Sequence, residues 1–139
     1  MPVIVQVNYW AVLTCGLISI VIGSLWYSPM LLGRTWMDEV DKTDDDIKKD
    51  FNPLKTYGLT FICNLFIAFS LAQLMAHSNA STVAAGIRLS FLCWSGFIAA
   101  PMVVNSLFEG KSFKLLLVDS GHHLIVILVF GIVLGAWTA

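Results

Sequence analysis

The sequence predicts an all-α fold: an integral membrane four-helix bundle with one short amphipathic cytoplasmic helix between spans one and two. Three observations carry this. Of 139 residues, 58% are hydrophobic and only 12% are charged, where a soluble domain carries about a quarter charged. Twelve of the seventeen charged residues fall between Arg34 and Lys55. The remaining five leave uncharged stretches over 1–33, 56–87, 89–108 and 120–139, and about 20 mostly apolar residues suffice to cross a bilayer. This composition excludes a disordered chain and a soluble enzyme. A net charge of −1 offers no basic surface for nucleic acid.

The first span is read over about 7–28, ended by Pro29. Its start carries Asn8, Tyr9 and Trp10, and its end carries Trp26 and Tyr27. These aromatics, with Trp36 just beyond, match an interfacial belt. No Lys or Arg precedes this span and its apolar run is long, so it is not expected to be a cleaved signal peptide. Cys15, Ser19 and Gly23 recur every four residues, a small-residue stripe along which another helix can approach.

Residues 30–54 form the one sizeable loop. Thr43 as a cap, Asp44 to Asp46 in a first turn, Lys48 and Lys49 later and Pro53 as a stop predict a short helix. Mixed charge of this kind is ordinarily a solvated face. The second span is read over about 57–75 and the third over about 82–107, with a tight polar turn between them. Gly96 belongs to a small-residue pattern on the third span. The fourth, about 113–137, closes with Gly131 and Gly135, a small-xxx-small packing motif that can act within one chain or between copies. The whole chain is then one transmembrane domain, 1–139.

Basic residues orient the bundle. Arg34, Lys42, Lys48, Lys49, Lys55, Lys111 and Lys114 lie at the end of the first and third connections, against Arg88 near the other end. Loops 30–54 and 108–112 are therefore expected in the cytoplasm and both termini outside, in a multi-pass cell-membrane protein. Arg88 sits near the outer end and is expected to snorkel. Cys15, Cys63 and Cys93 fall in three different spans and read as small apolar residues rather than a disulfide framework.

Ionisable groups within spans are costly and mark functional candidates. At about 1.5 Å per residue, Asp119 lies about 9 Å inside the fourth span, with His122 and His123 about 14 Å in. Spacings of i, i+3 and i+4 place these three on one helix face. Asn64 enters from the same end, and Asn105 with Glu109 stands at the end of the third span. The expected site is a polar inner-leaflet cavity lined by Asn64, Asn105, Glu109, Asp119, His122 and His123.

Several of these residues also carry a family resemblance over essentially the whole chain. Leu25-Trp26-Tyr27-Ser28-Pro29, Leu32-Gly33-Arg34-Thr35-Trp36, the charged run from Asp44 to Lys49, Asn105 with Leu107-Phe108-Glu109-Gly110-Lys111, and Asp119-Ser120-Gly121-His122-His123-Leu124 together resemble the bacterial small membrane proteins of unknown function, family number 1761. In that pattern Asn ordinarily stands at position 119 and Tyr at 122, so His123 is the histidine carried over. The resemblance implies four spans and no established activity.

Three readings of the polar cluster follow. A proton-linked transporter or channel for a small solute would use Asp119 and the histidines, because His titrates near neutrality and a solute path needs polar lining; four spans enclose little volume, so it would work as a homo-oligomer. A metal or haem site would draw ligands from the same helix, but the spacing lacks a paired HxxxH or CxxC pattern, and no metal or cofactor is predicted. A structural or accessory protein would use the cluster to cross-link the bundle and the charged loop to bind a partner. No nucleophile elbow, phosphate loop or metal-carboxylate set is present, and an enzyme is not expected. The lipid bilayer is the first partner, with a small solute or lipid-like molecule as the candidate ligand.

Overall fold

The computed structural model describes residues 3–28, 31–40 and 52–137. Among these it is all-helical, and four of its helices are long and apolar enough to cross a membrane. The helix expected around Thr43, with its aspartate run, lies outside the described residues, as does Pro29.

Helix α1, Tyr9–Trp26, starts where Asn8 accepts hydrogen bonds from the Trp10 and Ala11 amides, satisfying donors that a helix start leaves orphaned. Helix α2, Gly33–Val40, follows almost at once, ahead of the short helix that the sequence predicts around Thr43. It is amphipathic: Gly33, Trp36, Met37 and Val40 turn inward, while Arg34 and Asp38 are exposed. The sharp return depends on Gly33, whose backbone lies so close to Tyr27 and Ser28 that a Cβ would collide with their carbonyl groups. Helix α3, Pro53–His77, is capped by Asn52 with proline in its first turn. It ends with Asn79 at φ 57 and an Ala80 N–H to Met75 C=O bond of 2.8 Å, the closing bond of a left-handed helix stop.

Helix α4, Val83–Glu109, is not uniform. It is α-helical over Val83–Cys93, π-helical over Trp94–Ala99 and α-helical again over Ala100–Glu109. Pro101 explains the wide turn: it has no N–H to give the preceding turn, and its ring crowds the carbonyl four residues back. Gly110, at φ 69, stops the helix. Helix α5, Phe113–Ala136, is capped by Ser112, whose hydroxyl accepts from the Leu115 amide.

The bundle packs as two helix pairs, α1 with α3 and α4 with α5, joined through α1 and α5; α2 lies against the loop end of α5. The α4–α5 seam is the tightest. A Cβ on Gly86 would strike the Gly131 carbonyl, one on Gly131 would strike Ser90 Oγ and the Gly86 carbonyl, and one on Gly135 would strike the Thr82 carbonyl. The glycine motif of the last helix therefore packs within the chain. Gly96, expected to join a packing face, does not: nothing lies within 4 Å of its Cβ position, because α4 turns that side outward. Gly23 meets a side chain rather than a backbone, the nearest atom to its Cβ position being His122 Nε2 at 3.4 Å. The true close approach of α1 to α3 is at Gly16, where a Cβ would fall 2.6 Å from Leu65 Cδ2.

Ala11, Cys15, Ala68, Leu71, Val126, Ile127 and Phe130 form the middle of the core. Cys15, Cys63 and Cys93 are free thiols. The outer surface is apolar, with Phe66, Phe97 and Leu107 each more than two-thirds exposed, as expected where lipid is the solvent.

The segment before α1 is fastened to the end of α3 far from α2. Gln73, itself buried, accepts from the Val5 N–H and donates to the Val5 C=O, both at 2.8 Å. His77 Nε2 lies 2.6 Å from the Val3 carbonyl oxygen. Replacing Gln73 by leucine strands both Val5 groups, at about 1–3 kcal/mol for a buried unsatisfied polar group. Thermal unfolding in detergent is expected to show this loss, with glutamate losing less because it keeps the acceptor.

Candidate functional site

The first and last family-like motifs meet in space. Trp26, the final residue of α1, donates its indole N–H to the Val118 carbonyl at 3.0 Å. Tyr27 donates its hydroxyl to Asp119 Oδ1 at 2.7 Å. Gly121 makes room for this docking, since its Cβ position is 3.2 Å from the Trp26 ring. The sequence reading placed these aromatics in an interfacial belt. In the structure their polar tips bond α5, because a half-buried indole or phenol seeks a partner for its polar tip.

His122 is enclosed by rings: Tyr27 at 5.1 Å, Trp26 at 6.3 Å and His123 at 5.1 Å between centroids. Its Nε2 is buried without a hydrogen-bond partner among the described residues. Tyr27 also meets Trp36 of α2 edge-on at 6.0 Å, and Ser112 hydrogen-bonds Glu39. These contacts hold α2 against the mouth of the bundle.

Asp119 faces two ways. One side is the tyrosine contact; the other lines a cavity of about 190 Å³ between the loop ends of α4 and α5. Asn105, Ser106, Glu109 and Lys111 line it with Asp119, above an apolar rim of Met102, Leu115 and Leu116. Glu109 and Lys111 form an ion pair of 2.7 Å at its exposed mouth. The hydrogen bond that Lys111 donates to the Glu109 carboxylate raises the Lys111 pKa, so this ammonium keeps its proton.

Of the six residues expected to share a cavity, three do: Asn105, Glu109 and Asp119. His122 and His123 join the adjoining aromatic cluster and reach the cavity only through Asp119. Asn64 is buried on α3 but is not among the groups lining the cavity. Helix α3 begins at Pro53, ahead of the expected span, so Asn64 falls near the middle of its 25 residues, and the side of each helix that faces α5 was not legible in the sequence. Sequence reasoning does not single out Ser106, whose signal is its place three residues before Glu109, on the same helix face. It also missed Trp94, whose indole N–H reaches the Ser120 carbonyl at 2.9 Å from the π-helical segment.

Among the described residues, no three His, Cys, Asp or Glu side chains converge in a way that could hold a metal ion.

Comparison with curated proteins and with solved structures finds no match. A family of unknown function does match, over residues 10–135 and so over both motifs that dock at Asp119. The chain belongs to that family, described as protein of unknown function DUF1761.

Proposed function

We propose that this is a small proton-linked membrane transporter with a solute-binding vestibule at the loop end of α4 and α5. One observation carries the reading. A carboxylate about 9 Å along a membrane-length helix, at about 1.5 Å per residue, lines a polar cavity where an apolar side chain would be cheaper by several kcal/mol. Past that cavity the core is closed by Val126, Ile127 and Phe130, so the described arrangement is accessible from one end. Alternation of access then requires α5 to shift against its neighbours, and an assembly of copies supplies the volume one chain lacks. The excess of basic residues at the loop end supports a cytoplasmic position for that end.

The test is flux into proteoliposomes under an imposed pH gradient, scanning small polar solutes. Flux of one solute is expected in the wild type and at least a tenfold fall in Asp119→Asn. An absence of gradient-driven flux across the scan sinks the transport reading.

A structural role is the second reading, and it rests on the bonds from Trp26, Tyr27 and Trp94 to α5. Each such bond in a membrane contributes only about 0.6 kcal/mol on average, so stability alone does not require a buried carboxylate. If Asp119→Asn lowers thermal stability and nothing else, the structural role stands and transport falls.

A further inference from the structure

We propose that the cavity between α4 and α5 takes a small organic cation, of the ammonium or guanidinium class, with Asp119 as its counter-ion. The assignment rests on the vestibule reading for its biological use, but the binding chemistry stands on the cavity alone.

The cavity carries three charged side chains, Glu109, Lys111 and Asp119. Glu109 and Lys111 neutralise one another at 2.7 Å. Asp119 has no cation within ion-pair distance among the described residues, and its hydrogen bond to Tyr27 uses Oδ1 alone. Oδ2 has no hydrogen-bond partner among the described residues. The unbalanced charge of the pocket is therefore one negative, carried by Asp119.

A second observation points to an occupant. Ser106 lines the cavity and is 8% exposed, yet its hydroxyl has no hydrogen-bond partner among the described residues. A serine within a helix ordinarily bonds back to the carbonyl three or four residues earlier, as Ser95 does with Leu92. A hydroxyl left open to a cavity in this way is satisfied by water or ligand. With the Asn105 amide on the same helix, the pocket offers several oxygen acceptors around one carboxylate, which suits a polyvalent N–H donor. The volume, about 190 Å³, corresponds to about six waters at their liquid volume. That admits a small organic cation.

The test is isothermal titration of the purified full-length protein in nanodiscs. The probes are tetramethylammonium and guanidinium chlorides, with sodium acetate and glycerol alongside. Saturable binding of at least one cation is expected, and none of acetate or glycerol. Asp119→Asn should weaken binding at least tenfold, and Ser106→Leu, which fills the pocket, should abolish it. Lys111→Gln removes the only cation from the pocket at a half-exposed position, so it leaves folding intact and should tighten binding at least threefold. No cation binding, tighter binding of acetate, or weaker cation binding in Lys111→Gln each overturns the proposal. Cation binding without flux leaves this site standing and removes the transport reading. Flux of an anion or a neutral solute without cation binding does the reverse.

Discussion

Gly131→Ala is expected to be among the most damaging substitutions in the chain, although it adds a single methyl group to a helix that alanine favours. On propensity alone the change should stabilise α5 by up to about 1 kcal/mol. The site reverses that sign. The new Cβ would collide with Ser90 Oγ and with the carbonyl of Gly86, and backbone cannot rotate away as a long side chain can. The α4–α5 seam must open, losing dispersion contacts along its length, a cost of about 1–3 kcal/mol or more for overpacking. Gly86→Ala should behave alike, because its Cβ meets the Gly131 carbonyl. Gly96→Ala is the control on the same helix, with nothing within 4 Å, and should be neutral or slightly stabilising. Thermal unfolding in detergent read by tryptophan fluorescence separates the three. Equal stabilities for Gly131→Ala and Gly96→Ala would mean that the seam is not as drawn.

Trp26→Ala should cost about 3–5 kcal/mol, the range for truncating a large packed aromatic. The indole lies against Gly121, faces the His122 ring and bonds the Val118 carbonyl, so its loss frees the end of α1 from α5. Trp26→Phe separates packing from hydrogen bonding. Phenylalanine keeps most of the ring and removes only the N–H, a loss of about 1 kcal/mol on the scale of intramembrane hydrogen bonds. A large gap between the two variants identifies ring packing as the fastening. A second expected readout is local: with α1 released, Tyr27 no longer holds Asp119, and any flux or cation binding should fall in Trp26→Ala and persist in Trp26→Phe.

These predictions involve residues whose meaning was only partly legible beforehand. Gly131 and Gly135 were recognisable as packing residues, because four-residue spacing of glycine on an apolar helix has few other uses. Gly96 looked equally good by the same rule and packs against nothing, since small size permits close approach without specifying a partner. The positions of α1, α3, α4 and α5 agree with expectation to within a few residues, because a span is long, continuous and set by apolar length. Helix α2 went unread. Eight residues carry too short a pattern for a secure period, and its placement depends on Gly33 meeting the end of α1 and on Trp36 meeting Tyr27.

The candidate site divides in the same way. Depth is a property of one helix, since each residue adds a fixed rise; Asn105, Glu109 and Asp119 lie towards the loop ends of α4 and α5, while Asn64 falls near the middle of α3 because that helix starts earlier than expected. Which of them share a space is a property of pairs of helices. It depends on the rotation of each about its axis, and that is set by glycine contacts and aromatic anchors distributed along the chain. Thus Asn105, Glu109 and Asp119 meet around a cavity with the unforeseen Ser106, while Asn64 stays apart and the histidines stack with Trp26 and Tyr27. Composition and spacing were enough for four apolar helices, their limits and the end that holds the charge. Partners across the bundle were settled by packing, because side-chain neighbours in space depend on how helices rotate and approach, which no local period encodes.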